Sequence, residues 1–242
     1  MDERQDHKTP LIPETSLKDL QRKAKESYCV AVIPCKCGSR RLPDKNFLEV
    51  AEFPMVLWAV MKAHCCPHID LVCISTDDAD LLMEKVPSLS ARMFDEVAVV
   101  KRGPEFMHPD TPVYNLIMEA IQSLAVNDVL KRPPTHVVMM QPNVPSLPQI
   151  IVNDLVKSVV EGESNVARHF SVTTECFNKE WVSGVMTGGC DAYKIAALTN
   201  PVAMDSYNYC VISADLEIHT AEDLKMVEEL LEGRGNDAED SH

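Results

Sequence analysis

The stretch CVAVIPCKCGSRRLPDKN, residues 29–46, decides the fold class of this chain. Its first six residues form a short apolar run that ends in proline, which is typical of a buried strand. The loop that follows carries four cations, Lys36, Arg40, Arg41 and Lys45, within ten residues of a chain whose formal net charge is −14. This local concentration of positive charge indicates a loop that binds an anion, although a solvated basic loop would show the same spacing.

The alternation of strand and helix continues outward from this stretch. Short apolar runs predict strands over 29–34, 71–75, 97–100 and 136–140. Longer stretches between and after them predict helices over 54–66, 76–86, 111–126 and 148–160. This order favours an α/β fold with a mainly parallel sheet covered on both faces. Ligands of such sheets bind beyond the carboxyl ends of the strands, so we expect the site in the loops after Pro34, Ser75 and Met140.

The alternation of strands and helices ends in the last third of the chain. Strands are predicted over 170–175, 192–198 and 209–213 without long helices between them, followed by a helix over 220–231. Thr220 and Asp223 have the spacing of a capping box at the start of this helix. We therefore divide the chain into an N-terminal extension (1–28), one α/β domain (29–232) and a disordered tail (233–242).

Composition excludes several classes of protein. The 242 residues are 45% hydrophobic and 25% charged, which is typical of a globular domain. No window approaches the roughly 18 consecutive apolar residues of a membrane span, and no secretory signal is visible. Nine cysteines without a CxxC pair favour a reducing compartment, so we expect a cytoplasmic location. The negative net charge argues against nucleic acid as a partner.

Gly38 and Ser39 give the basic loop a second property. Glycine lets backbone N–H groups approach a ligand closely, and the serine adds a hydroxyl donor. Together they can form a nest for a polyphosphate. The loop is not a Walker A motif, because GxxxxGK[ST] is absent.

The sequence IPCKCGSRRLPDKN, residues 33–46, resembles the IPARxGSKRLPxKN motif of the cytidylyltransferases that make CMP-activated acidic sugars, the acylneuraminate cytidylyltransferase family. Four further stretches are similar to the family's motifs and occur in the family's order. They are ISTDD (74–78), KRGPEFMHPDT (101–111), MQPNVP (140–145) and DLEIHTAED (215–223).

The resemblance implies a Rossmann-like nucleotidyltransferase fold with a reduced second lobe. The implied reaction joins CTP to an acidic small-molecule acceptor, giving a CMP-conjugate and pyrophosphate, with Mg²⁺ as the cofactor. An acceptor oxygen would attack the α-phosphorus in line, so catalysis would consist mainly of positioning and charge neutralisation.

The resemblance also implies roles for individual residues of the basic loop. Ser39, Arg41 and Lys45 would contact the triphosphate, and Asn46 would help to define the cytosine pocket. Lys36 stands where the family has arginine, and it supplies a charge without a bidentate fork.

Two more residues are assigned by the later motifs. Arg102 matches an arginine on the nucleotide side, although a solvated arginine would fit the sequence equally well. Gln141 matches the glutamine that faces the acceptor, although it could simply end a strand.

The metal ligands are expected ahead of the last helix, where the resemblance places Glu217 and His219. Glu217 is a suitable oxygen ligand for Mg²⁺, whereas imidazole suits softer metals. Asp215 could compensate for His219. Asp77 is a further candidate carboxylate, and a helix cap is the alternative interpretation of it.

The departures from the family keep other functions open. QPNVPSL lacks the arginine of the family's QPTSPLR, and the segment over 175–188 is short, so a smaller acid or a phosphonate is an alternative acceptor. A homodimer is left open. One rival hypothesis is a catalytically impaired pseudoenzyme or a nucleotide-binding regulatory protein on the same scaffold. Another is a glycosyltransferase that uses Asp78 and Asp80 as a DxD motif, although capping of a helix explains these aspartates better.

Overall fold

The computed structural model describes residues 26–39, 41–90, 97–108, 111–162, 165–171, 189–198, 209–213 and 217–239. Its strands, in chain order, are β1 (Cys29–Cys35), β2 (Glu49–Val50), β3 (Phe53–Pro54), β4 (Leu71–Thr76), β5 (Val97–Lys101), β6 (His136–Met140), β7 (Val166–Ser171), β8 (Cys190–Lys194) and β9 (Tyr209–Ser213). Its α-helices are α1 (Met55–His64), α2 (Ala79–Lys85), α3 (Pro87–Ser90), α4 (Val113–Val126), α5 (Gln149–Val160), α6 (Ile195–Leu198) and α7 (Ala221–Glu239).

Seven of these strands form one sheet in the order β5-β4-β1-β6-β8-β7-β9. Strand β1 pairs in parallel with both β4 and β6, and β4 pairs in parallel with β5. Strand β8 runs antiparallel to its neighbours β6 and β7, while β9 pairs in parallel with β7. The predicted α/β fold with a mainly parallel sheet is therefore confirmed.

Alternating side chains of β1 serve both faces of the sheet. Cys29, Ala31 and Ile33 are buried in the cluster that includes side chains of α1 and α5. Val30 and Val32 are buried on the other face in the cluster that includes side chains of α4. A strand covered on both faces needs apolar residues at every position, which is why the sequence shows a continuous apolar run rather than alternation.

The boundaries of several elements differ from those predicted. Helix α2 begins at Ala79 rather than at residue 76, because Asp78 caps it. Strand β8 ends at Lys194, and the amide of Ile195 instead donates to Thr135 O at 2.9 Å, just before the start of β6. After this bond the chain turns into α6.

Two other differences concern the last third of the chain. The strand predicted over 170–175 lies earlier, at Val166–Ser171. Helix α7 continues to Glu239, past Gly233, where we predicted a disordered tail to begin. The continued helical hydrogen bonding satisfies backbone N–H and C=O groups that would bond to water if the end were frayed. The prediction of a reduced second lobe depends on the segment over 175–188, which lies outside the described residues. Residues 1–25 of the predicted N-terminal extension also lie outside them.

The parallel strands determine where a site can form. Strands β1, β4 and β6 end at one edge of the sheet, and the loops that follow them start there. In the part of the chain that the structure describes, no helix is both long and apolar enough to cross a bilayer.

Core packing through α5 gives a stability prediction. Leu155 is 0% exposed and Ile150, on the same helix, is 63% exposed. Leu155→Ala should reduce the free energy of unfolding by about 2–5 kcal/mol, because it leaves a cavity. Ile150→Ala removes a similar volume from the surface and should stay within about 0.5 kcal/mol of the parent chain. Denaturant unfolding measures both values, and equal losses would contradict the packing described.

Candidate functional site

The loop after β1 lies at the carboxyl edge of the sheet and has a defined backbone. Gly38 has φ +71°, a left-handed conformation that L side chains rarely adopt. Further along, Asp44 has φ 51° and precedes a 3₁₀ turn, Lys45–Phe47, in which the amide of Phe47 donates to Asp44 O at 2.8 Å. The loop thus follows β1 with a glycine turn and ends in a short helical turn that carries Lys45.

Asp77 holds this loop against the end of β4. Its Oδ1 accepts a hydrogen bond from the amide of Cys37 at 2.6 Å. The neighbouring Asp78 caps α2, accepting the amide of Leu81 at 3.0 Å. The interpretation of Asp77 as a helix cap is therefore wrong, and the capping role expected of the DxD pair belongs to Asp78.

A second set of bonds fixes the start of the loop. Asn46 is 8% exposed and donates through Nδ2 to Lys36 O at 3.0 Å. The ammonium of Lys36 reaches across to Met107 O, 2.9 Å away, in the segment that follows β5. Asn46 and Lys36 therefore brace the loop in this structure, and their predicted contacts with a nucleotide stay predictions.

Arg102 is buried where β4 and β5 end. Its Nε donates to Ser75 Oγ at 3.1 Å and its Nη2 to Ser75 O at 2.9 Å. Burial lowers the pKa of Arg102, while Asp77 and Glu119 act in the opposite direction. The alternative of a solvated arginine is wrong, because the guanidinium joins the two strand ends.

Glu119 on α4 belongs to the same region and was not found from the sequence. Its Oε1 accepts the amide of Gly103 at 3.1 Å, next to Arg102 in the chain. The signal in the sequence was an acidic residue within a largely apolar helix segment, YNLIMEAI, residues 114–121.

Lys45 connects three segments at the edge of the sheet. Its Nζ donates to Ile218 O at 3.2 Å, and the amide of Ile218 donates to Asn143 O at 2.8 Å. The side chain of Ile218 is fully buried in a cluster with Val50. The loop after β1, the loop after β6 and the segment before α7 therefore meet at one point.

The charge of Lys45 is affected by this position. Burial lowers the pKa of Lys45, and the nearby Glu217 carboxylate opposes that change. Arg41 is exposed and also lowers the pKa of Lys45 by repulsion.

Glu217 and His219 form a close pair beside Lys45. His219 Nε2 lies 2.7 Å from Glu217 Oε2, and Asn143 Nδ2 donates to the same oxygen at 3.4 Å. His219 follows Glu217 by two residues and lies just ahead of α7, where the resemblance predicts the metal ligands.

The capping box at the start of α7 is confirmed. Asp223 Oδ2 accepts the amides of Thr220 at 2.8 Å and His219 at 2.9 Å, while Thr220 Oγ1 accepts the amide of Asp223 at 3.2 Å. Burial by itself would raise the pKa of Asp223, but these bonds outweigh it and lower the pKa. The cap fixes the direction in which residues 217–219 enter the helix.

The carboxylates expected to hold Mg²⁺ are already engaged. Mg²⁺ prefers oxygen ligands in near-octahedral geometry. Asp77 is bonded to the loop backbone and Glu217 to His219, while Asp215 lies outside the described residues. Within the described ranges, no three His, Cys, Asp or Glu side chains are gathered to hold an ion. The described side chains thus do not fit Mg²⁺ as they are arranged, and the three ligands stay predictions.

The remaining predicted residues lie at the same edge of the sheet. Ser39 and the side chain of Gln141 are half-buried, and the amide of Gln141 donates to Gly189 O at 2.9 Å. The loop that follows, residues 142–147, is buried throughout. Predicted contacts of Ser39, Arg41 and Gln141 with substrates stay predictions.

Comparisons with known proteins agree with the motifs. Residues 30–95 match the family model described as cytidylyltransferase. The chain is 27% identical over 147 residues to the 3-deoxy-manno-octulosonate cytidylyltransferase of Psychrobacter arcticus, covering 61% of this chain and 49% of that protein. It is 25% identical over 116 residues to the pseudaminic acid cytidylyltransferase of Campylobacter jejuni, covering 43% and 50%. The resemblance to sugar-acid cytidylyltransferases is confirmed. The chain spans about half the length of the curated relatives it matches.

Solved structures show the fold. The structure of CMP:2-keto-3-deoxy-manno-octonic acid synthetase complexed with CTP has a TM-score of 0.59 and 15% identity, covering 86% of this chain and all of that one. The 4-diphosphocytidyl-2C-methyl-D-erythritol synthase of Anaerococcus prevotii has a TM-score of 0.58 and 11% identity, covering 87% and 99%. The expected Rossmann-like nucleotidyltransferase fold is confirmed.

The bond between Asp77 and the loop gives a prediction. Asp77→Ala leaves the Cys37 amide without its acceptor, so the free energy of unfolding should fall by about 1–3 kcal/mol. Amides of residues 37–39 should also exchange with solvent faster. Asp80→Ala changes an exposed aspartate nearby and is the matched control. Hydrogen exchange and denaturant unfolding test both variants, and equal behaviour of the two would contradict the role given to Asp77.

Proposed function

We propose that this chain transfers a cytidylyl group from CTP to a sugar acid, giving a CMP-conjugate and pyrophosphate. The family match and the names of the curated relatives support this reaction. The observation that carries the proposal is the junction of Lys45, Ile218 and Asn143, which brings the basic loop to the loop after β6 and the segment before α7. A transfer reaction requires the nucleotide and the acceptor to bind side by side, and a junction of these loops can hold both.

The chemistry requires little beyond positioning. An oxygen of the acceptor attacks the α-phosphorus, and the bond from that phosphorus to the pyrophosphate oxygen breaks. Holding the two substrates in line removes much of the entropic barrier. Cations and N–H donors then stabilise the charge that develops on the departing pyrophosphate.

The contact that Lys45 makes in the structure leaves it able to bind the triphosphate. In the described structure its ammonium donates to a neutral carbonyl, Ile218 O. Phosphate oxygens are charged and form stronger bonds with an ammonium, so a triphosphate can replace that carbonyl. Arg41, Ser39 and the backbone near Gly38 are the further donors that we assign to the triphosphate.

The acceptor side is assigned to the loop after β6. Gln141 would face the acceptor, at the end of the strand beside β1. The buried loop over 142–147 would present a preformed surface, because its side chains are packed before a substrate arrives. We infer a sugar acid as acceptor from the relatives. A smaller acid or a phosphonate is the alternative, since the family's arginine is missing from QPNVPSL.

Mg²⁺ is part of the proposal as the counter-ion that accompanies the triphosphate. Asp77 and Glu217 would have to leave their protein partners to join it, and Asp215 is the remaining candidate. We also propose a cytoplasmic location, supported by the seven described cysteines that are free thiols. Absence of a nucleic-acid partner and assembly as a homodimer likewise remain proposals.

A second candidate is a protein that binds the nucleotide without turning it over. The pairing of Glu217 with His219 favours it, because the imidazole engages one oxygen of a carboxylate that we expected to hold the metal. Both candidates predict nucleotide binding, and only the first predicts release of pyrophosphate.

The first experiment is calorimetric binding of CTP to the purified chain, with ATP, GTP and UTP as controls and with or without Mg²⁺. Selective binding of CTP supports a cytidylyl-transfer site and justifies a screen of sugar acids with pyrophosphate release as the readout. Equal binding of all four nucleotides would contradict the proposal.

Lys45→Ala tests the triphosphate contact. Loss of a hydrogen bond to a charged group costs about 1.5–3 kcal/mol, so the Kd for CTP should rise roughly 10- to 100-fold. Lys225→Ala removes an exposed lysine on α7 and should leave the Kd unchanged. The same titration calorimetry measures both variants, and an unchanged Kd in Lys45→Ala would show that this lysine does not bind the triphosphate.

The lowered pKa of Lys45 gives a pH dependence. A lysine with a lowered pKa loses its proton at a lower pH than an ordinary lysine. The affinity for CTP should therefore decrease as the pH rises through the pKa of Lys45. In Lys45→Arg the guanidinium stays protonated, and this alkaline decrease should disappear. Calorimetric titrations at increasing pH measure the effect. The same decrease in both proteins would assign it to another group.

A further inference from the structure

Glu217 is closed off by its own neighbours. Its side chain is 9% exposed, and its Oε2 receives both His219 Nε2 at 2.7 Å and Asn143 Nδ2 at 3.4 Å. We call these three residues the Glu217 cluster. Two nitrogens of the protein therefore occupy one of the two carboxylate oxygens of Glu217.

Two further donor atoms of the Glu217 cluster, on Asn143 and His219, are turned inward. Asn143 Oδ1 and His219 Nδ1 are buried, and neither has a hydrogen-bond partner among the described residues. Because neither atom is exposed to solvent, neither can coordinate an arriving ion unless the cluster opens.

The charges around the Glu217 cluster also disfavour a dication. The ammonium of Lys45 lies on Ile218 O, between Glu217 and His219 in the chain, and interacts with the Glu217 carboxylate. Asp223, in the first turn of α7, is committed to the amides of His219 and Thr220. A divalent ion placed beside Glu217 would meet a neighbouring cation, and the described residues gather no set of three His, Cys, Asp or Glu side chains to hold it.

We propose that His219 takes the place of a protein-bound divalent cation beside Glu217, so that the free chain binds no such ion at this position. The imidazole N–H supplies the contact that an ion would otherwise make with the carboxylate. A nucleotide would then have to bring its own cation. The inference concerns the chain without nucleotide, so it does not depend on the proposed cytidylyl transfer.

The experiment measures Mn²⁺ binding to the full, metal-free chain by electron paramagnetic resonance, without nucleotide. The quantity of interest is the difference in bound Mn²⁺ between the chain and its Glu217→Gln variant. We expect no difference, because Glu217 is paired with His219 and interacts with the ammonium of Lys45. One equivalent of Mn²⁺ that is lost in Glu217→Gln would overturn the inference.

His219→Asp provides the converse test. It removes the imidazole donor and adds an oxygen ligand two residues from Glu217, so Mn²⁺ should bind at one site. His219→Asn is the matched control, because asparagine has nearly the same size as aspartate but carries no charge. Mn²⁺ should bind to His219→Asp at least roughly tenfold more tightly than to His219→Asn.

Two outcomes of this second comparison decide the matter. Tighter binding in His219→Asp that disappears when Glu217→Gln is added supports the inference. A folded His219→Asp chain with no gain over His219→Asn overturns it. If that variant does not fold by circular dichroism, the comparison of the unmodified chain with Glu217→Gln still decides. A chain that never turns over CTP gives the same readouts, so failure of the proposed function is distinguishable.

Discussion

The parallel pairing of β1 with both β4 and β6 is the constraint on which the site depends. A strand in this position is covered on both faces and on both edges, so its apolar side chains fix it within the core. Its carboxyl end then lies beside those of its two neighbours. Loops from distant parts of the sequence meet at this edge because the sheet brings the strand ends together.

In the described structure, the charged side chains of the site bond mainly to neutral or oppositely charged groups of the protein. Lys36 and Lys45 donate to carbonyls, and Arg102 to a hydroxyl and a carbonyl. Such contacts hold the cations in place without neutralising them. An anionic ligand can therefore compete for Lys45, whereas Arg102 is buried and serves chiefly to join β4 with β5.

Local patterns predicted the fold well because the signals were local. The apolar run over 29–34 became β1, and the spacing of Thr220 and Asp223 became a real capping box. Contacts between distant segments could not be predicted in this way. The spacing of residues predicts neither that the amide of Cys37 donates to the side chain of Asp77 nor that Lys36 bonds to Met107 O. The end of β8 depended on where β6 begins, which is a property of the ladder and not of residues 192–198.

The conformation of Gly38 separates two kinds of constraint that usually occur together. Its φ of +71° disfavours an L side chain, yet a Cβ built there would meet no atom within 4 Å. The position is therefore restricted by handedness and not by space. A residue of D configuration would favour the same torsion, and it would narrow the conformations of the unfolded chain. Chemical synthesis of the loop with D-alanine at this position would thus restrict the backbone torsion that glycine leaves free.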